Sequence, residues 1–62
     1  MNSKMPKNSE DVAFEFIRMG NYVKVSAIDM LSGKEVSIVG DPKAGEEELK
    51  RIALAKLRKV TL

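Results

Sequence analysis

The sequence contains no cysteine and no histidine among its 62 residues. Without cysteine the chain forms no disulfide, and without both residue types it lacks the usual ligands of zinc. The same absence removes the side chains on which most nucleophilic triads and most proton-transfer sites depend. We therefore expect a protein that is not an enzyme and that holds neither a metal nor a cofactor.

Long apolar runs and a strong charge of one sign are also absent. Polar residues follow Lys4 and Lys7, where a signal peptide needs an apolar stretch, and no run approaches the roughly 20 apolar residues of a membrane span. The 11 basic and 9 acidic side chains leave a net charge of +2. We expect a cytoplasmic protein that does not bind membranes.

The length of 62 residues predicts one small domain. Such a domain buries only roughly 60% of the surface that its unfolded chain exposes, so small domains commonly add disulfides, a metal or a partner chain. The first two are excluded by composition, which leaves self-association or economical packing. Residues 1–11 are polar and show no period, and we predict a disordered tail there, followed by one domain over residues 12–62.

Alternation of apolar and polar residues over residues 21–29 predicts the central strand of an antiparallel sheet. A similar stretch precedes it over residues 12–19. The Gly-Asn dipeptide between the two stretches accepts the positive φ of a two-residue hairpin turn. This turn sets the register of the first two strands and places Phe16 opposite Val25, an aromatic and a β-branched side chain that stabilise a shared face.

A third strand follows a turn whose length decides which face its side chains occupy. A four-residue loop over residues 30–33 pairs Val25 with Ile38, whereas a three-residue loop turns Ile38 to the opposite face. We favour the four-residue loop because it gathers the apolar side chains of all three strands on one face. Asp29 is then placed to cap the turn, with Gly33 in the left-handed conformation.

The pattern after residue 45 changes to the three- and four-residue spacing of a helix. Acidic residues open this segment and basic residues close it, the order that the helix dipole favours. The predicted inward stripe consists of Leu49, Ile52, Ala53, Leu57 and Val60, with Leu54 off the stripe. The sequence therefore predicts an α+β fold: a three-stranded antiparallel β-meander with one C-terminal helix packed on one face, or βββα.

The sheet face that the helix does not cover is unusually apolar for a solvent-exposed surface. Its apolar members are Ile17, Met19, Tyr22, Ile28 and Val39. Exposed patches of this kind commonly mark contact sites. We interpret this face as an interface with a protein partner, most simply a homodimer that stacks sheets or pairs edge strands.

The alternative is a weak nucleic-acid-binding domain, because sheet motifs also read DNA through an exposed face. Basic side chains near the sheet would contact phosphates, and the tyrosine would stack on a base. The residues of this hypothesis are Arg18, Tyr22, Lys24 and Lys34. A second basic group lies on the outer side of the predicted helix, so the basic residues do not form one stripe.

Three stretches resemble a family of short bacterial proteins that carry a domain of unknown function. They are Phe14-Glu15-Phe16 with residues 20–29 (GNYVKVSAID), residues 33–40 (GKEVSIVG), and Ala44-Gly45 with residues 49–51. The resemblance implies a small stand-alone cytoplasmic protein without an established activity, and it brings no catalytic or binding residues. The chain has Met30 and Leu31 where the family pattern has a proline and an acidic residue, which adds two apolar side chains at a turn as a further contact point.

Overall fold

Three strands and one long helix make up the fold. The structure, a computed structural model, describes residues 11–61. Strand β1 spans Val12–Met19, β2 spans Tyr22–Asp29 and β3 spans Glu35–Gly40, and a 3-10 helix at Pro42–Ala44 leads into helix α1 at Glu46–Thr61. The sheet is antiparallel in the order β1-β2-β3, which confirms the predicted βββα architecture.

The predicted N-terminal tail lies outside the described residues except for Asp11. The carbonyl of Asp11 accepts a hydrogen bond from the Met30 amide at 3.0 Å, which ties the start of β1 to the end of β2. No helix within residues 11–61 is long and apolar enough to span a membrane.

The β1–β2 hairpin has the predicted register, with Phe16 opposite Val25 and Met19 opposite Tyr22 across a two-residue turn. Gly20 has a φ of 70°, whereas Asn21 keeps a negative φ. A positive φ at the first central residue alone is the pattern of a type II′ turn, whose twist matches that of the flanking strands.

The β2–β3 connection is the predicted four-residue loop, because Val25 lies opposite Ile38. Gly33 has a φ of 82° and donates its amide to the Asp29 carbonyl at 2.7 Å. The Asp29 amide in turn donates to the Lys34 carbonyl at 2.8 Å. These bonds close the loop around a left-handed glycine.

The side chain of Asp29 caps this loop, as the sequence predicts. Its carboxylate accepts hydrogen bonds from the Leu31 amide at 2.9 Å and from the Ser32 hydroxyl at 2.8 Å. The cap leaves Met30 and Leu31 exposed at the turn tip, with 64% and 55% of their surfaces accessible. The folded protein therefore exposes two apolar side chains at the tip of the β2–β3 turn.

Helix α1 approaches the sheet most closely at Gly40, where a β-carbon would overlap the Leu49 side chain. Gly45 starts the helix, since its carbonyl accepts a hydrogen bond from the Leu49 amide at 3.2 Å. The core between helix and sheet is small, and its buried apolar members are Val12, Val25, Ala27, Leu49, Ala53 and Leu57.

The rotation of α1 about its axis differs from the predicted stripe. Leu49, Ala53 and Leu57, spaced four residues apart, are buried as expected, but Ile52 and Val60 are 43% and 45% exposed. The prediction was wrong for these two residues: Ile52 lies on the flank of α1 next to β3, about 100° around the axis from Ala53, and Val60 lies in the last turn of the helix.

The two flanks of α1 are identified by their contacts. Lys56, midway between Ile52 and Val60, donates to the Ser37 carbonyl of β3 at 2.8 Å. Leu54 on the opposite flank packs against the core instead of lying off it. The helix therefore turns Leu54 inward toward the β1 side and leaves Ile52 outside.

Candidate functional site

The sheet face opposite α1, called the second face below, is defined by the strand registers. Successive side chains of a strand point to opposite faces, so residues that lie opposite a second-face residue share its face. The second face carries Ala13, Glu15, Ile17, Met19, Tyr22, Lys24, Ser26, Ile28, Glu35, Ser37 and Val39. The first hairpin and the third strand thus contribute to one surface.

Four apolar side chains cluster at the hairpin end of the second face. Ile17 and Val39 lie on either side of Lys24, and Met19 lies opposite Tyr22 in the next row. Neighbouring strands are about 4.8 Å apart and same-face residues along a strand roughly 7 Å apart, so Ile17, Met19 and Tyr22 adjoin one another and Val39 lies across Lys24 from Ile17. We call Ile17, Met19, Tyr22 and Val39 the sheet-face patch.

The members of the sheet-face patch are accessible to solvent. Ile17, Met19 and Tyr22 expose 40%, 41% and 41% of their surfaces, and Val39 exposes 64%. Lys24 at the centre is only half-buried, which is typical of a lysine stem that lies along apolar neighbours while its amine reaches water. The patch is a contiguous apolar surface with one positive charge inside it.

A hydroxyl pair separates the sheet-face patch from the other end of the second face. Ser26 is 2% exposed, and its hydroxyl lies 3.0 Å from the hydroxyl of Ser37. Beyond this pair, Ile28 is half-buried opposite Glu35. The structure therefore brings together four of the five predicted interface residues and places Ile28 apart from them.

The residues of the nucleic-acid hypothesis do not share one surface. Tyr22 and Lys24 lie on the second face, but Arg18 pairs with Val23 and lies on the helix face. Lys34 donates its amine to a carbonyl near the end of α1 at 3.3 Å, also away from the second face. The sequence was sufficient to place Arg18 on the helix face, because it lies two residues from Phe16 and alternate side chains of a strand share a face.

The charges of the second face are mixed. The face carries Glu15 and Glu35 as well as Lys24, which makes one basic and two acidic side chains. Nucleic-acid surfaces concentrate basic residues on one face. This balance is more typical of a protein contact than of a phosphate contact.

A groove on the helix side, between β1 and α1, was not predicted from the sequence. Helix α1 lies mainly over β2 and β3 and covers the adjacent face of β1 only in part, since Phe14 and Phe16 are half-buried there. The groove includes a cavity of about 490 Å³. This cavity is lined by Phe14, Glu47, Glu48, Lys50, Arg51 and Leu54. The sequence predicts a helix packed on this face, and the strand pattern alone does not show that the helix is off-centre.

The rim of the groove is held by local ion pairs. Arg51 is bound to Glu48, and this hydrogen bond and charge raise the pKa of the guanidinium above its ordinary value. Lys50 lies 3.9 Å from Glu47, and its amine is 5.6 Å from the centre of the Phe14 ring. A cation at this distance from an aromatic face is weakly attracted to it.

Within residues 11–61 no group of three or more acidic side chains is arranged to hold a metal ion. Every buried polar side-chain atom in the same range has a hydrogen-bond partner. The exposed surfaces of this range include the sheet-face patch, the turn tip and the groove.

Comparison with known proteins gives one match. A family model described as a domain of unknown function (DUF6898) matches residues 9–61. No curated protein and no solved structure matches the chain. The matched range includes all three strands and the whole of α1, so it contains each of the surfaces described above.

Proposed function

The chain belongs to the DUF6898 family of domains of unknown function, and we propose that it is a non-enzymatic interaction module that self-associates through the sheet-face patch. The observation that supports this most is the exposure of four neighbouring apolar side chains on one sheet face. Monomeric proteins seldom expose contiguous apolar patches unless these mediate contacts. A bacterial origin and a cytoplasmic location, which the sequence resemblance implies, stay predictions.

The proposed occupant of the patch is a second copy, because the second face is complementary to itself in charge. Lys24 lies one row from Glu15 along the sheet. A two-fold axis brings the same surface of both copies together, so the lysine of one copy meets a carboxylate of the other. Two stacked sheets lie about 10 Å apart, which leaves space between them for side chains of both copies to interdigitate.

Stability gives a second argument for self-association. The buried apolar core contains six residues, of which two are alanine. A core of this size contributes little free energy of folding in a chain without disulfides. Association of folded copies stabilises the fold by mass action, because only the folded chain presents the patch.

Two isoleucines of nearly equal exposure provide the test. Ile17 in the sheet-face patch is 40% exposed, and Ile52 on the β3 flank of α1 is 43% exposed. Ile17→Asp places an unpaired charge in the contact twice, once from each copy, and should raise the dimer dissociation constant by about 30-fold or more. Ile52→Asp should leave the constant near that of the unmodified chain. Sedimentation equilibrium over a range of concentrations measures both.

The alternative proposal, a weak nucleic-acid-binding domain, is supported by the position of Tyr22 next to Lys24 on one strand face. It predicts that single-stranded oligonucleotides bind with an affinity that falls steeply as salt is raised. The acidic neighbours on this face and the separation of Arg18 and Lys34 make it the weaker of the two proposals.

A further inference from the structure

The outer edge of β1 has unused backbone hydrogen-bonding groups. The two-residue turn makes Met19 and Tyr22 a hydrogen-bonded pair, and such pairs alternate with non-bonded pairs along an antiparallel ladder. The amides and carbonyls of Phe14, Phe16 and Arg18 therefore point away from β2. These residues are also the ones whose side chains lie on the helix face.

Hydrogen bonds elsewhere in the sheet follow the same alternation. The Met30 amide donates to the Asp11 carbonyl next to β1, whereas the Asp29 amide donates to the Lys34 carbonyl next to β3. The alternation directs the Ser37 carbonyl to the outer edge of β3, where the Lys56 amine donates to it at 2.8 Å. The assigned directions of the backbone groups are thus consistent across the sheet.

The two edges of the sheet are therefore protected unequally. A lysine that occupies edge carbonyls is a common means of preventing another strand from pairing there. Lys56 supplies this protection on β3. Within residues 11–61 no side chain or backbone group makes a corresponding bond to the outward groups of Phe14 or Phe16. β1 is also the longer edge strand, with eight residues against six in β3.

We propose that β1 pairs in antiparallel orientation with β1 of a second copy, which joins two sheets into one of six strands. The favoured register places Phe16 opposite itself on a two-fold axis, an aromatic cross-strand pair. Moving the axis to residue 15 sets Glu15 against Glu15 of the second copy, where like charges repel, and moving it to residue 17 removes the Phe16 pair and sets Arg18 against Phe16. The off-centre position of α1 over β2 and β3 leaves the joined edge unobstructed.

This register offers Glu47 a partner from the second copy. With Phe16 on the axis, Arg18 of the second copy lies opposite Phe14, on the same face. Phe14 lines the groove together with two acidic and two basic side chains. Glu47 is 93% exposed at its side chain and only loosely paired with Lys50 at 3.9 Å. An arginine that enters the groove from the second copy thus has Glu47 as its carboxylate partner, because Glu48 is bound to Arg51.

The edge contact is independent of the contact through the sheet-face patch. Its two-fold axis is perpendicular to the sheet, whereas the axis of two stacked sheets lies in the sheet plane. Perpendicular two-fold axes allow closure as a tetramer of D2 symmetry. The two contacts can be broken separately, because Val39 presents its side chain to the second face from β3 and Arg18 presents its amide to the outer edge of β1.

Proline at position 18 tests the edge contact directly. Arg18→Pro removes an outward amide without removing a bond to β2, and edge strands tolerate proline at such positions. Arg18→Ala removes the same side chain and keeps the amide. Val39→Lys breaks the patch contact from β3 by placing a second ammonium opposite Lys24. In this background, the proline variant should raise the dissociation constant of the remaining dimer about tenfold or more relative to the alanine variant, because the two-fold axis removes the bond twice.

Each outcome decides one of the two contacts. A wild-type tetramer that Val39→Lys reduces to a dimer supports both. A Val39→Lys monomer, from a wild type that is a dimer, overturns the edge contact and keeps the patch contact. A Val39→Lys variant with the wild-type mass and a further loss with Arg18→Pro overturns the patch contact and keeps the edge contact. Equal dissociation constants for Arg18→Pro and Arg18→Ala overturn the edge contact, and a wild-type monomer overturns both.

Amide hydrogen exchange of the unmodified chain keeps the test decisive if the proline variant unfolds. The amides of Phe14 and Phe16 should exchange rapidly in dilute solution and become protected as concentration rises. Equal exchange at all concentrations, whether fast or slow, overturns pairing with a second copy. Slow exchange in dilute solution identifies a segment of the same chain as the occupant of this edge.

Discussion

The carboxylate of Asp29 is buried in the β2–β3 turn, with 0% of the residue exposed. Burial raises the pKa of this carboxyl, but hydrogen bonds from the Leu31 amide and from the Ser32 hydroxyl and amide outweigh burial and hold the pKa below its ordinary value. A carboxyl with a lowered folded-state pKa contributes stability above its unfolded-state pKa and loses it as pH falls through the folded-state value. The turn therefore depends on an ionised residue.

We predict that Asp29→Asn flattens the acid dependence of stability. The free energy of unfolding of the unmodified chain should fall as pH is lowered from about 5 to below 3, because Asp29 must take up a proton against its hydrogen bonds. The asparagine variant should be less stable at pH 7 and should lose less on acidification. Urea titrations at both pH values measure this, and parallel losses in the two proteins would contradict the assigned role.

Gly40 is the residue on which the helix packs most closely. Gly40→Ala should destabilise the fold by about 1–3 kcal/mol, because the new methyl group overlaps Leu49. Leu49→Ala should cost about 2–5 kcal/mol by leaving a cavity. In the double variant the methyl group occupies part of that cavity, so the combined loss should be smaller than the sum. Additive losses in a thermal or urea double-mutant cycle would show that the two residues do not touch.

At the scale of elements, the strand registers were predictable and the helix orientation was not. Turn residues and alternation together set which residues lie opposite each other, since a shift by one residue moves every side chain to the wrong face. Helix α1 has apolar residues on both flanks, Ile52 on one and Leu54 on the other. Its rotation goes with the contact of Leu49 on Gly40 and with the off-centre position over β2 and β3. The spacing of apolar residues in the sequence shows neither of these features.

The orientation of α1 predicts different costs for these two flanking residues. Leu54→Ala should destabilise the fold by about 1–2 kcal/mol, because Leu54 packs against the core. Ile52→Ala should change stability by less than about 0.5 kcal/mol, because the side chain is largely exposed and alanine favours the helix. Urea unfolding of both variants tests the assignment, and an inverted order would show that the helix is rotated as the sequence pattern suggested.

At the scale of the whole molecule, one helix covers part of one sheet face and leaves two surfaces to interact. The second face was predicted as a set of residues, but only the structure shows that four of them cluster and that Ser26 and Ser37 separate them from Ile28. The groove and the open β1 edge depend on where the helix lies. They are properties of the assembled domain, which the separate sequence motifs do not describe.

Sedimentation equilibrium of the untagged chain at low salt and at about 0.5 M salt tests the proposed self-association most directly. The Debye length at the higher salt is only a few ångström, so contacts that depend on exposed charges weaken strongly. An apolar contact through Ile17, Met19, Tyr22 and Val39 predicts a mass above that of the 6.9 kDa monomer at both salt concentrations. A monomer at both salt concentrations would contradict self-association through this patch.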